Sequence, residues 1–488
     1  MTRVLMAGLC PLPFENTEKS FGPGIRTWQM AASLAAAGHQ VRLKALRIPG
    51  TYRPESSGED DHEERDGVFI ERLGEAAFFD PATFAEALES TWPEVVVGAT
   101  LYGSHVLARH APDRPFWADQ FGQVMAEAQA KALLEKANWP LAHFWNLLAP
   151  ILRHADHFSV VSERQRWAAV GELGLVGRLS WENCGHELVS VMPCALIPRP
   201  EPAAGAAPLL RGHRFPEDAF AVFWSGGYNV WSDVETLFTG LERVMANEPR
   251  LHFVSTGGEI GGHDEKTYRR FEELVSSSAH RDRYHLLGWV AAELVPRYQA
   301  EMNLGILTEI AIYEGQLGHK NRVVQWMGGG LPVLYNRVGD LGDLLAAPAG
   351  NRLGLTFAVG DAAGLAAELR WALGHPAELA AMAERARAYT LDNLSFAATT
   401  RDLVAWAAAP RHAPDAAFRR AVASPADFAP AAPPEPVLPE PTPLEDALPD
   451  LAPAAVAAAG APPAESPPAA LPASGEPSFW RRLFGRGA

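Results

Sequence analysis

Between Tyr313 and Val333 the chain reads YEGQLGHKNRVVQWMGGGLPV, and these residue types in this order point to chemistry at an anion. An acid, Glu314, stands in a Gly-containing loop; Lys320 and Arg322 follow at the amino end of a short helix, ahead of three glycines and a strand. The first turn of a helix exposes unpaired N–H groups. Together with two cations they would stabilise a departing pyrophosphate, whose negative charge grows as a sugar bond breaks. Glu314 would hold sugar hydroxyls. The alternative is that Lys320 and Arg322 are ordinary solvated charges.

Two glycine-rich turns fit the same chemistry. In Gly22-Pro23-Gly24-Ile25-Arg26 the glycines free the backbone just before a helix, and in Ser225-Gly226-Gly227-Tyr228-Asn229 a second tight turn follows a strand. Facing each other across a cleft, the two would let backbone approach the oxygens of a nucleotide diphosphate closely. Asn229, Gly257, Gly258 and Trp289 occupy neighbouring strand-end loops and join the candidate donor set. Asp119 ends a short strand, where α/β proteins expose functional groups, although a capping or turn aspartate has the same look. His105 could polarise an acceptor hydroxyl, and His110 lies nearby; both are equally readable as structural histidines. Trp224, Trp231, Trp289 and Trp326 could stack on a base or sugar, or simply fill the core.

Positioning these groups requires two α/β units. Residues 3–8 read as a buried strand, Cys10 to Gly24 as a loop, Ile25–Ala37 as a helix stopped by Gly38, and Gln40–Leu46 as a strand. Further strands are expected at Glu94–Gly98, Phe116–Asp119 and Phe158–Ser162, with 51–66 an exposed acidic connection without chemistry. After a Pro- and Ala-rich bridge at Ile197–Pro208 the pattern repeats: strands at Ala219–Trp224, Leu251–Ser255, Tyr284–Leu287, Leu304–Leu307 and Leu331–Leu334, with helices at Ser232–Met245 and near Val323–Met327. Two doubly wound sheets joined by a linker make the cleft between them the place for a substrate.

Composition excludes much else. The 488 residues carry 42 Lys plus Arg against 58 Asp plus Glu, a formal charge of -16, with no basic block to follow a nucleic-acid backbone. No uninterrupted apolar run reaches the length of a bilayer span. Cys10, Cys184 and Cys194 form neither a metal-type pair nor a disulfide framework, as expected of reduced thiols in the cytoplasm. No Ser/His/Asp order or zinc spacing emerges, so no metal is assigned. Beyond about residue 410 proline and alanine dominate, the composition of a disordered tether. It ends in SFWRRLFGR at 478–486, a short amphipathic basic patch suited to an anionic membrane surface or a partner groove, or a terminus without function.

The order of these motifs resembles a GT-B glycosyltransferase of family 4. The GPGIR loop ahead of GHQV, then the Gly-Gly turn, TGG, LGWV and YEG…KNRVVQWMGGGLPVL carry the resemblance over about residues 1–408. Segments 118–132 and 162–179 also resemble the branch whose opening loop reads GPGIR. The resemblance implies an α/β fold with two Rossmann-like domains facing across a cleft, followed by the Pro/Ala-rich tail. Its domains are an acceptor-side unit at 1–200, a nucleotide-sugar unit at 209–390, a helix at 391–409 packing back on the first unit, a disordered linker at 410–477 and the basic terminus at 478–488. It further implies sugar transfer with retained configuration from a nucleotide-diphosphate sugar, itself a substrate, to a glycan or lipid-linked acceptor, usually without a required metal.

On that resemblance Gly22, Gly24 and Arg26 line the cleft, Gly226 and Gly227 approach the diphosphate, and Glu314, Lys320, Asn321 and Arg322 contact donor sugar and phosphates. Gln325 falls where the family commonly places a ribose-binding carboxylate. Two departures follow. Eight residues before Gln325 stands Leu317 rather than the first acid of the usual pair, and SGGYNVWSD lacks the expected Arg-and-Lys phosphate pair, a charge that Lys320 and Arg322 would take over. The expected protein is thus a cytoplasmic hexosyltransferase of the cell envelope, peripheral at the membrane through 478–486. The rivals are a degenerate, non-catalytic GT-B protein that binds a glycan or scaffolds an envelope assembly through its tail, and a GT-B-like phosphorylase or epimerase.

Overall fold

The computed structural model describes residues 1–421 apart from 16, 18–20, 49, 53–60, 112, 200–206, 262 and 349. The amino lobe holds eight strands: β1 (Arg3–Cys10), β2 (Gln40–Arg47), β3 (Asp61–Arg65), β4 (Val68–Leu73), β5 (Val95–Gly98), β6 (Phe116–Gln120), β7 (His157–Val160) and β8 (Val189–Val191), in the order β3-β4-β2-β1-β5-β6-β7-β8. All pairs are parallel except β3 with β4. Six strands build the second lobe: β9 (Phe220–Ser225), β10 (Leu251–Thr256), β11 (Tyr284–Leu286), β12 (Leu304–Leu307), β13 (Val333–Asn336) and β14 (Leu355–Phe357), ordered β11-β10-β9-β12-β13-β14 and all parallel. Strand order reverses beside β1 and β5 in one lobe and beside β9 and β12 in the other. Ligands of such sheets sit beyond the carboxyl ends of the strands at these reversals.

Fully buried runs explain the strands. Val95, Val96 and Val97 of β5 are inaccessible to solvent, as are Val222, Phe223 and Trp224 of β9, because helices cover both faces of each sheet. Trp224 and Trp326 belong to this core rather than to a ligand platform.

Three expectations need correction. The first helix runs Gly22–Ala36, so Gly22 and Gly24 form its first turn instead of a preceding loop. A Cβ on Gly24 would lie 1.8 Å from the Pro11 carbonyl oxygen, so that glycine serves close packing of helix on loop. Second, part of the acidic connection is the edge strand β3, tied to β4 by Arg72, whose guanidinium meets Glu15, Asp61 and Glu63 at 2.6–2.9 Å. A charged edge strand has no apolar alternation to announce it.

Third, residues 411–421 are not part of a tether. Past the Phe396–Thr399 and Arg401–Ala408 helices, which lie on the amino lobe through Gln29–Thr399 and Thr2–Ala407 hydrogen bonds, the chain enters a helix at Ala416–Ala421. The Arg178 guanidinium donates to the Asp415 carboxylate, both side chains 1% exposed, and also to the carbonyls of Leu152 and Ala155. Asp156 in turn accepts from Arg419 and from the Ala413 N–H. Removing one partner of a buried pair strands the other charge. Asp415→Ala is therefore expected to cost about 3–5 kcal/mol in urea unfolding; a loss below about 1 kcal/mol, the worth of a surface pair, would show that this segment is not anchored in solution. Residues 422–488, including the basic terminus, lie outside the described residues. No helix among the described residues is long and apolar enough to cross a membrane.

Candidate active site

A cleft of about 1380 Å³ opens between the lobes, lined by both strand-order reversals. On the second lobe β12 ends at Leu307, and the chain continues through Thr308 to Glu309, which is fully buried. Tyr335 donates a short hydrogen bond to its carboxylate, and the Asn336 side chain holds its backbone N–H and C=O. Lys320, the residue before the Asn321–Gly328 helix, places its ammonium 3.0 Å from Glu309 and 3.1 Å from both oxygens of Glu314. Burial pulls that ammonium down, but the two carboxylates more than offset it and hold it above its usual value. Burial also pushes the Glu314 carboxyl up to about 7, against the pull of Lys320. Two acids already neutralise this lysine. It does not offer a free positive charge to a diphosphate, contrary to expectation.

Arg322 differs. Its Nη2 donates to the Gly227 carbonyl at 2.7 Å, its guanidinium lies 5.0 Å from the Trp224 ring, and its buried Nη1 has no partner among the described residues. Burial lowers it to about 10, so it remains charged at neutral pH. Gly226 adopts φ +83°, and a Cβ on Gly257 would strike the Gly226 carbonyl oxygen at 1.9 Å. Gly257 thus lets the two turns stack rather than touching a ligand. Trp289, at the cleft wall, donates to the Glu259 carbonyl at 2.8 Å and packs near Gly227 and Gly258. Asn229 and Asn321 also line the cleft, and Asn321 Nδ2 approaches Gly22 of the opposite lobe, 3.2 Å from where a Cβ would stand.

On the amino lobe Arg26 and Asp119 face each other rather than a ligand. Their side chains are 0% exposed and joined at 2.7 Å, with Arg26 also donating to Gln29 and to the Pro193 carbonyl, and Ser159 donating to Asp119 at 2.7 Å. Asp119 borders the cleft; Arg26 does not.

Residues 21–178 match the family model described as a glycosyl transferase 4-like domain. A search of curated proteins finds no match to the sequence. Among solved structures, a sucrose-phosphate synthase from Thermosynechococcus elongatus superposes with a TM-score of 0.61 at 16% identity, covering 83% of this chain and 97% of that one. Anabaena Alr3699/HepE in complex with UDP and glucose gives 0.58 at 15%, covering 83% and 99%. An α,α-trehalose-phosphate synthase (UDP-forming) from Burkholderia vietnamiensis gives 0.58 at 14%, covering 83% and 98%. The chain is a GT-B protein resembling glycosyltransferase family 4. At these identities the likeness to the solved structures is one of fold.

In this GT-B protein Gln325 lines the cleft and also ties down the chain between the lobes. Its Nε2 donates to the Ala195 carbonyl at 2.9 Å and its Oε1 accepts from the Ile197 N–H at 3.1 Å, clasping the chain that joins the lobes. Gln325→Glu, which installs the family's carboxylate, is expected to lower stability by about 1–3 kcal/mol by setting an acceptor against the Ala195 carbonyl. An unchanged melting temperature would show that these two bonds do not hold the linker in solution. His105 donates from Nδ1 to the Leu147 carbonyl, 3.0 Å away, and is not among the cleft-lining residues; burial lowers its pKa. Its proposed role with the acceptor has no geometric support here, because its helix turns it toward the Trp139–His154 helix.

Sequence reasoning missed Glu309 and His319. Glu309 stands two residues past the apolar LGIL strand, the same strand-end placement that drew attention to Asp119. His319 lines the cleft with an Nδ1 that has no partner among the described residues, and burial drives it down to about 3, leaving a neutral ring. Nothing in the sequence separates it from the other 15 of the 16 histidines.

Proposed function

We propose that the protein is a nucleotide-sugar-dependent glycosyltransferase that moves a hexose from a nucleoside-diphosphate donor to a glycan or lipid-linked acceptor, with retention. What carries the reading is Arg322: a half-buried, charged side chain with an N–H that no described residue accepts, tethered to the Gly226-Gly227 turn where that turn meets the cleft. In this mechanism the bond from the anomeric carbon to the diphosphate oxygen breaks while the acceptor oxygen bonds to the same face. The acceptor's proton goes to the departing diphosphate. Arg322 and the free N–H groups of the Asn321–Gly328 helix receive the developing charge. Glu314 borders the cleft and would bond the sugar hydroxyls, while the fully buried Glu309 holds Lys320.

Uridine donors are the first to try, since the Anabaena neighbour was solved with UDP and glucose. The test is release of nucleoside diphosphate from a panel of nucleotide sugars, followed by calorimetry with UDP and GDP. Donor-dependent release supports the reading. Absence of nucleotide binding up to millimolar concentration would sink it in favour of a non-catalytic scaffold.

A further inference from the structure

Away from the cleft, the Glu163–Leu175 helix shows water a face that water does not suit. Between Trp167 and Gly177 the only ionisable side chain is Glu172, and it turns inward to accept a hydrogen bond from Gln123. Trp167, Gly171 and Leu175 recur every four residues on the exposed side. Leu179, in the loop that follows, comes within 3.4 Å of where a Cβ on Gly174 would stand, and Trp181 is two residues on. These four large side chains are 54–85% exposed. A Cβ on Gly171 would meet nothing within 4 Å, so a notch separates Trp167 from Leu175. A surface helix ordinarily keeps polar groups on its solvent side; an apolar stripe there marks an interface.

Where the chain comes out says what covers it. Arg178, the residue before Leu179, and Arg419, in the Ala416–Ala421 helix, donate to the same carbonyl, that of Ala155. The described chain therefore leaves beside the end of the stripe. Residues 422–477 then lead to Ser478. Extended, they would span about 190 Å, against about 20 Å for the helix. Reach does not limit a return, and a segment on the same chain meets the stripe at an effective concentration far above that of a separate molecule. In 478–486 the apolar Phe479, Trp480, Leu483 and Phe484 have the spacing of one helical face, with Arg481 and Arg482 opposite and Arg486 at its border.

Charge separates this occupant from an anionic membrane. Exposed Glu163 and Glu187 share a single arginine, Arg166, which also reaches the Trp167 ring at 5.6 Å. Arg164 is spent on Asp340 and Asp343 of the other lobe, Arg178 on Asp415, and Arg419 on Asp156. Among the described side chains of 163–187 and 411–419, Arg411 is the arginine without an ion pair, and Glu172 and Glu182 are the acids without one. Burial pushes the Glu172 carboxyl up to about 7, yet even with that acid discounted the carboxylates outnumber the cations. Such a surface repels anionic lipid and suits a segment with three arginines.

We propose that the stripe of Trp167, Leu175, Leu179 and Trp181 is the docking surface for residues 478–486 of the same chain, with Phe479, Trp480, Leu483 and Phe484 laid against it over the Gly171 notch. The test uses the full chain and needs no turnover, so it stands apart from the transferase reading. With p-benzoylphenylalanine in place of Phe479, a mixture of isotope-labelled and unlabelled chains is photo-activated and the joined peptides are read by mass spectrometry. The expected product links position 479 to the 163–181 region within one chain. Gly171→Arg and Leu175→Lys should each lower its yield at least about fivefold, because a cation on the stripe repels the arginines and the first variant also fills the notch.

Neither variant should unfold the protein, since Leu175 is exposed, Gly171 faces open space and replacing a mid-helix glycine favours the helix. Melting temperatures matching wild type check this. A product that joins two chains would give the stripe to a second copy. Transfer of the cross-link to lipid, once vesicles of phosphatidylcholine and phosphatidylglycerol are added, would give the segment to a membrane. Attachment elsewhere on the chain, absence of any product, or a yield unchanged in both variants would remove the docking surface. Each of these outcomes overturns the proposal.

Discussion

Arg322→Ala is expected to lower kcat/KM for the nucleotide sugar by about 100- to 1000-fold, the usual cost of deleting one preorganised donor to a developing charge. That corresponds to about 2.7–4 kcal/mol of transition-state stabilisation. Two effects combine. The variant loses a charge that no carboxylate among the described residues offsets by a direct ion pair, and it loses the Nη2 bond that fixes the Gly227 carbonyl, so the Gly226-Gly227 turn relaxes. Arg322→Lys separates the two, because a single ammonium cannot hold Gly227 and keep a planar second donor aimed at an oxygen. It should recover part of the loss and remain at least about tenfold below wild type. Initial rates of diphosphate release measure both. Activity of the alanine variant within about fivefold of wild type would mean that the departing charge is received elsewhere.

Lys320→Met should instead act on the folded state. The methionine nearly matches the lysine stem in volume but leaves Glu309 and Glu314 buried without their shared cation, a loss of about 3–5 kcal/mol. Its pH dependence follows from Glu314, whose carboxyl stands raised from 4.5 to about 7 by burial even with the lysine present. A carboxyl with its folded pKa above its unfolded one binds more protons when folded. Its contribution is therefore complete below about 4.5 and is lost as pH rises through about 7. Without the ammonium the folded pKa climbs further and the window widens upward. The deficit of the variant should be smallest near pH 5 and largest near pH 8, measured by urea unfolding at both. A deficit independent of pH would refute the carboxylate explanation.

How far the sequence reaches is clearest at particular residues. The strands around Val95–Gly98 and Phe220–Ser225 are visible as apolar runs closed by glycine turns, since strand burial on both faces leaves a local signature. Strand β3 is not, because its residues satisfy one another by charge rather than by burial. The anchored segment at 411–421 is hidden too: its Pro- and Ala-rich neighbourhood looks like tether, and what orders it is Arg178, whose carboxylate partner is 237 positions away.

The candidate site divides along the same line. Glu314, Lys320, Arg322 and the Gly226-Gly227 turn could be nominated from residue type and order, and all of them line the cleft. Their charge states could not. Whether a cation is spent or available depends on which acids fold against it, and Glu309 reaches Lys320 only because β12 lies beside β13 in the sheet. Arg26 and Asp119, chosen separately as ligand contacts, turn out to neutralise each other across 93 residues. Sequence alone determined two doubly wound sheets and the loops that ring the gap between them, since local hydrophobic period and glycine placement encode both. Tertiary structure decided which polar groups in that gap remain unmatched, because pairing is settled by proximity in space, to which local order along the chain is blind.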